Sequence, residues 1–275
     1  MRTNIIKILH NDLNDLLKNP FVDLNQLQGT VYRAQPGRKT IAFTYHNKRY
    51  FAKIHTGVGW WEISKNILQL RWPIVSAAPE WNALLKLKAL GVGAPIPVAF
   101  GKQGINPARL KSFIITEAVL ATMNLEEFLT AQGPVEFKLK KRLIESVAHI
   151  AKTLHENGMN HRDFYLCHFL LDTSRSDLLN PQLYLIDLHR AHIRKKTPLR
   201  WKIKDISGLY FSTLNFNFTK RDYLRFIRSY SGQPLRQALG RNKLFWQIVT
   251  RKAYKLYRKM YLHSPPFSRV AGEER

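Results

Sequence analysis

The sequence predicts an α+β protein in two lobes, a small sheet carrying one helix followed by a larger, mostly helical part. Three observations lead there. Short β-like runs at 29–34, 40–45 and 49–54 follow one another across turn-rich strings, which reads as a three-strand meander. From Leu125 onward the apolar spacing turns helical. The 275 residues, 45% hydrophobic and 12% aromatic, can bury a sizeable core without covalent staples. The lobes are expected at 1–118 and 119–275.

The opening MRTNIIKILHNDLND reads as a helical lead-in, and its apolar runs are too short for a secretory signal, so the chain is expected to stay inside the cell. The single Cys167 excludes an intrachain disulfide and a cysteine zinc cage, fits a reducing compartment, and reads as a small buried filler. After the meander, Gly57, Gly59, Trp60 and Trp61 form a Trp-rich segment, read as packing residues in preference to a sugar platform. Pro79 and Glu80 open a helix that runs to Leu90 and is closed by Gly91. Pro95-Ile96-Pro97 begins another extended stretch, and residues 112–116 form a strand ending at Glu117. A long amphipathic helix spans 139–156 and stops at Gly158. Strand-like pieces at 169–171 and 183–186 flank an insert, and helices fill the remainder. No window offers the roughly 20 apolar residues of a membrane-spanning helix, since even SFIITEAVLATM is broken by Glu117.

The net charge is +25, and residues 190–275 hold 21 Lys and Arg against four Asp and Glu, a net of +17. Within this third, residues 241–262 place Phe245, Val249, Ala253, Leu256 and Met260 on one helical face and Arg251, Lys255, Arg258 and Lys259 largely on another. Such a helix can lie on an anionic leaflet, with each cation contributing about 1 kcal/mol, or track a phosphate backbone. It can equally be a core helix with a solvated basic face.

The segment Asn160-His161-Arg162-Asp163 falls between the long helix and the strand at 169–171, and Asp187 ends the second strand 24 residues later. Loop aspartates most often cap helices and strands. Two at the ends of adjacent short strands, however, point into one cleft and suit phosphoryl transfer, in which one carboxylate takes the proton of the attacking hydroxyl and the other holds Mg²⁺ on the nucleotide. Lys53, within Phe51-Ala52-Lys53-Ile54, supplies a cation for phosphate oxygens. Glu80 is its natural ion-pair partner, although an acid is favoured at that helix start anyway.

The strings FAKIHTGVGWWEISKNIL, EWNALLKLKALGV, FGKQGINPARLKSFIITE, NHRDFYLCHFLL and LYLIDLHRA, in this order, resemble the lipopolysaccharide core heptose(I) kinase family of the protein-kinase-like superfamily. The resemblance covers roughly residues 20–260. It implies a bilobal kinase-like fold, ATP and Mg²⁺ as cofactors, and the 4-hydroxyl of heptose I in the lipopolysaccharide inner core as acceptor. It matches Lys53 to the strand lysine on the phosphates, Glu80 to its helix partner, Asp163 to the catalytic-loop base and Asp187 to the metal-binding aspartate. Thr116 and Glu117 match the hinge that presents backbone to adenine. The implied location is cytoplasmic, peripheral on the inner face of the inner membrane. The implied partners are the anionic leaflet and the heptose on Kdo-lipid A. No nucleic acid is expected, and a small acidic protein such as an acyl carrier protein is compatible with the charge.

Three departures qualify the match. His168 stands where protein kinases use an asparagine for a second Mg²⁺, and an imidazole is a poorer ligand than a carbonyl for a hard cation; a hydrogen-bonded ring and a metal ligand are both open readings. The phosphate loop, best placed at 35–39, carries only Gly37, which leaves Arg38 or Lys39 to supply charge. Asp187 is followed by Leu188-His189 and lacks the Phe-Gly of a switchable loop. His189, Arg190 and Arg194 are candidates for a substrate phosphate or carboxylate, or surface charges. The competing functions are a Kdo kinase of the same family, a basic nucleic-acid-binding protein and a catalytically dead membrane adaptor.

Overall fold

A computed structural model describes residues 4–10, 13–35, 37–68, 73–174 and 180–266. The chain divides into two compact units, Met1–Leu120 with Leu188–Arg190, and Ala121–Asp187 with Ala191–Arg275.

The N-terminal unit is built on six antiparallel strands: β1 (Asn4–Ile8), β2 (Thr30–Gln35), β3 (Arg38–Tyr45), β4 (Lys48–His55), β5 (Pro97–Gln103) and β6 (Lys111–Glu117), in the order β1-β5-β6-β4-β3-β2. The expected meander is β2 to β4. β1 corrects the sequence reading, because the stretch expected to be helical is an edge strand with Ile6 in register with Gly101 of β5. Its backbone partners lie far along the chain, where local periodicity carries no trace of them. Leu13, Leu17 and Leu24, the last just after the four-residue helix α1 (Pro20–Asp23), join Ile41, Phe43, Tyr50, Phe113 and Ile115 in a buried core. Helix α3 (Ala78–Ala89) packs on β5 and β6, with Trp81 stacked on Phe100 at 5.4 Å between ring centroids. Burying Trp81, Leu84 and Leu87 contributes about 2 kcal/mol each.

Helix α2 (Gly59–Leu68) overturns a second expectation. Trp60 is 59% and Trp61 82% exposed, so neither is a packing residue, and Ile63 is the residue that α2 buries. One narrow contact row through Ile63 leaves the neighbouring rings facing outward.

The C-terminal unit contains β7 (Thr122–Asn124), α4 (Leu125–Gln132), α5 (Phe137–Glu156), β8 (Met159–Asn160), β9 (Phe169–Asp172), β10 (Leu183–Leu185), β11 (His192–Ile193), α6 (Leu199–Thr213), α7 (Lys220–Ser231), α8 (Leu235–Arg241) and α9 (Lys243–Tyr261). The short strands pair as β10-β9-β7 and β11-β8. Part of the insert expected between β9 and β10, residues 175–179, lies outside the described residues. Asn124 caps α4 by accepting the Glu127 N–H, and Thr219 with Asp222 forms a reciprocal capping box on α7. Gly158 ends α5 at φ +76°, and a Cβ there would collide with the carbonyl of Arg194. That close approach lets the Arg194 N–H reach Gly158 O at 2.9 Å and brings β11 beside the catalytic segment.

α5 packs on α7 and α6 on α9. The buried row of α9 is Val249, Ala253 and Tyr257. The expected stripe therefore holds at its first two members and fails at Leu256 and Met260, which are 39% and 69% exposed. Tyr257 can enter because its hydroxyl donates to Asn215 Oδ1 at 2.6 Å. The helices surround an apolar cavity of about 160 Å³, lined by Leu129, Leu143, Val147, Leu209, Phe226 and Trp246 among others. Among the described residues, no helix is long and apolar enough to cross a membrane.

Candidate active site

The N-terminal unit holds one half of the predicted residues. Strand alternation buries Ala52 and Ile54 on one face of β4 and turns Lys53 to the other, where its ammonium donates to Glu80 Oε1 at 2.6 Å. Glu80 lies in the first turn of α3 and is 5% exposed. The start of α3 is fixed to β6 because Ala77 N–H donates to Ser112 Oγ at 3.0 Å. Removal of Lys53 would therefore strand a buried carboxylate. Two residues along β4, burial holds the His55 imidazole down at about 4, helped by the charges of Arg38 and Lys53 and by His189, so this ring is neutral near pH 7.

Thr116 and Glu117 end β6 opposite Phe51 and Tyr50. The Glu117 N–H already donates to Ile96 O and the Ala118 N–H to Arg49 O, both at 2.9 Å, and the Glu117 carboxylate lies 3.4 Å from His10 Nδ1. A ligand at this strand end would have to use carbonyl groups or later amides. Gly37 turns the β2–β3 hairpin at φ +75°, where a Cβ would run into the carbonyl of Gly57, and the Thr56 N–H donates to Gly37 O. This hairpin is thus pinned to the segment that follows β4. Pro36, within the expected loop, lies outside the described residues, and the Arg38 guanidinium donates to the Ile74 carbonyl.

The C-terminal unit brings Asp163, His168 and Asp187 together. His168 donates through Nδ1 to the Asp163 carbonyl at 2.6 Å, and its Nε2 stands 3.5 Å from Asp187 Oδ2. With Nδ1 protonated, a neutral ring presents its Nε2 lone pair to the carboxylate, and two electron-rich atoms face each other. A proton or a metal cation fills such a gap. Both open readings of His168 are therefore compatible with one geometry. No group of three or more His, Cys, Asp or Glu suited to a metal occurs among the described residues, so this pair would share its cation with ligand oxygens.

A buried scaffold holds this loop. His161 is 0% exposed and donates from Nε2 to Ile186 O at 2.9 Å, while Ile186 N–H donates to His168 O, tying the segment of Asp163 to that of Asp187. Burial pushes the His161 pKa down against the opposing pull of Asp205 and the Ile186 carbonyl. Asp205 of α6, also 0% exposed, accepts the backbone N–H groups of His161 and Arg162, each at 2.7 Å, and lies 3.3 Å from His155 Nε2. Tyr230 reaches His155 Nδ1 at 2.9 Å. The sequence reading missed Asp205. Its one signal was an acidic residue inside a helix, flanked by Ile203 and Ile206, on a side that proved buried. Arg162 and Asp187 both adopt positive φ, +77° and +61°, the strained backbone expected where side chains are aimed for chemistry.

Of the other candidates, His189 and Arg190 belong to the N-terminal unit, where their turn packs on α3, whereas Arg194 belongs to the C-terminal unit and donates to Asn160 Oδ1 at 2.6 Å. The Cys167 thiol is pushed up to about 11, chiefly by burial, which removes it as a nucleophile.

Residues 22–230 match the model of the lipopolysaccharide kinase (Kdo/WaaP) family. The chain is 43% identical over 245 residues to the lipopolysaccharide core heptose(I) kinase WaaP of Pseudomonas aeruginosa, an alignment covering 88% of this chain and 91% of that protein. It is 41% identical over 244 residues to the protein of the same name from Escherichia coli K12, covering 87% and 91%. A solved structure of WaaP in complex with acyl carrier protein superposes with a TM-score of 0.78 at 38% identity, covering 92% of this chain and 99% of that one.

Proposed function

The chain belongs to the lipopolysaccharide kinase (Kdo/WaaP) family, and from that premise we propose that it is a core heptose(I) kinase that moves the γ-phosphoryl group of ATP to the 4-hydroxyl of heptose I in the lipopolysaccharide inner core. The observation that carries the reading is the interlock of Asp163, His168 and Asp187, held from beneath by Asp205, beside strings shared with kinases of that name. Asp163 orients the acceptor hydroxyl and takes its proton as the oxygen attacks phosphorus, with ADP leaving. Lys53, fixed by Glu80, neutralises phosphate oxygens. Asp187 and the Nε2 of His168 are the ligands offered to Mg²⁺, which when bound supplies charge neutralisation on the phosphates. Thr116 and Glu117 are assigned to adenine and Gly37 to the phosphate loop.

Incubation of the enzyme with ATP and inner-core acceptor should place one phosphate on heptose I, visible by mass spectrometry and located by NMR. Asp163→Ala should abolish it. An unchanged yield in that variant would refute the assignment, and phosphate on Kdo would move the chain to the Kdo-kinase reading.

Two further elements belong to this proposal. The charge of the last third, with Arg251, Lys255, Arg258 and Lys259 exposed on α9, supports peripheral attachment to the cytoplasmic face of an anionic membrane, where a lipid-anchored acceptor resides. A related kinase was solved with acyl carrier protein, and a small acidic carrier suits the same cationic unit. The apolar cavity among the helices matches the chemistry of an acyl chain.

A further inference from the structure

Four cationic side chains converge on one indole in the C-terminal unit. Measured to the Trp201 ring centroid, the Arg162 guanidinium stands at 4.7 Å, Arg200 at 5.3 Å, the Lys204 ammonium at 5.7 Å and Arg194 at 5.9 Å. Three parts of the fold build this cluster. The first turns of α6 present Arg200, Trp201 and Lys204, the residue after β11 presents Arg194, and the positive φ of Arg162 turns the catalytic segment toward them. His192 joins it, 3.3 Å from Arg162 Nη1; burial and then the charges of Arg194 and Arg162 push its pKa down, so it adds no counter-charge and marks the local potential as positive. The Trp201 indole N–H is buried and has no hydrogen-bond acceptor among the described residues. Asp205, the acid of the same helix, is fully buried and engaged by two backbone amides and His155.

Such an arrangement is costly by itself. The face of the indole offsets part of the mutual repulsion of the cations, and an oxyanion held among them removes most of the rest. Guanidinium groups fork onto carboxylate or phosphate oxygens with two parallel hydrogen bonds, a geometry that gives orientation as well as attraction. Position decides what the anion belongs to. Arg162 immediately precedes Asp163, so an oxyanion bound here is fixed close to the hydroxyl that Asp163 orients.

We propose that the Trp201 cluster of Arg162, Arg194, Arg200 and Lys204 is a subsite for an oxyanion of the acceptor, a sugar carboxylate or a phosphate flanking the phosphorylated sugar, and that it selects acidic oligosaccharides. This rests on the acceptor class given above. It assigns to Arg200 and Lys204 a specificity role that the ATP-directed residues do not share.

The test uses the full chain and delipidated inner-core oligosaccharide. Calorimetric titration without nucleotide reads binding, and a transfer assay reads the KM of each substrate. The double variant Arg200→Gln/Lys204→Gln should weaken the Kd for the oligosaccharide and raise its KM by about tenfold or more, with the KM for ATP and the melting temperature unchanged. Arg200→Lys should retain part of the binding. Equal Kd and acceptor KM in the folded double variant would overturn the subsite, as would an equal rise in the KM for ATP. Carboxyl-reduced and dephosphorylated oligosaccharides identify the oxyanion by which modification reproduces the loss in the unaltered enzyme, and loss with neither overturns the proposal. Wild-type protein that binds the oligosaccharide without phosphorylating it would sink the kinase assignment and leave the subsite standing. Protein that phosphorylates it equally well in both forms would do the reverse, and absence of binding would sink both.

Discussion

At the scale of single residues, the ion pair of Lys53 and Glu80 is where stability and proposed chemistry meet. Glu80 is nearly fully buried, so Lys53→Met should cost about 3 kcal/mol in urea unfolding, and adding Glu80→Leu should recover much of it by removing the stranded charge. Phosphoryl transfer should stay lost in both variants, which separates folding from the phosphate role. His55 gives the molecule a pH signature. Its folded pKa of about 4 lies below the unfolded value near 6.5, so the contribution is complete above pH 6.5 and is lost as pH falls toward 4, roughly 3 kcal/mol in all. Denaturation at pH 7 and at pH 4.5 should show that loss, and His55→Gln should flatten it. Buried His161 shifts in the same direction, so some slope should survive. Asp163, Asp187, Lys53 and Glu80 could be singled out from local strings and spacing. Asp205 could not, because its role consists of accepting two amides from a segment more than forty residues earlier, a relation that no local pattern encodes.

At the scale of elements, legibility followed the source of each element's order. The meander, α3 and α5 were readable because alternation, a Pro-Glu start and glycine stops are local signals. β1 and the true buried row of α9 were not, because distant partners decide them: β5 recruits Asn4–Ile8, and Asn215 accepts the hydroxyl that lets Tyr257 turn inward. The Trp-rich helix α2 shows the same limit, since two tryptophans suggest a core and the fold leaves both outside. The contrast is measurable. Trp61→Ser should change unfolding free energy by less than about 0.5 kcal/mol, whereas Trp81→Ala in α3 should cost about 4 kcal/mol. A large loss at Trp61 would mean that α2 packs through its indoles after all.

At the scale of the whole molecule, the charge of +25 sets behaviour that no single contact explains. Binding to vesicles containing anionic lipid should weaken steeply with salt, and replacing Arg251, Lys255 and Arg258 of α9 by Glu should reduce it further in a sedimentation assay. Equal partitioning of the variant would remove α9 from the membrane contact and leave the charge to other surfaces. The division of labour between units was legible as a change from β-like to helical patterning near Leu125. The return of Leu188–Arg190 to the N-terminal unit was not, because a three-residue turn that packs on α3 has no periodicity to read.

The outermost position of β1 has a consequence for how the chain is handled. Its five residues shield β5, whose Pro97, Val98, Ala99 and Phe100 are buried, at one margin of the sheet. A truncation beginning after Ile8 would bare an apolar strand with unsatisfied amides, and two such chains could zip together through it. The opening residues thus act as a guard against self-association, and an affinity tag or a trimmed start at that end alters solubility before it alters catalysis.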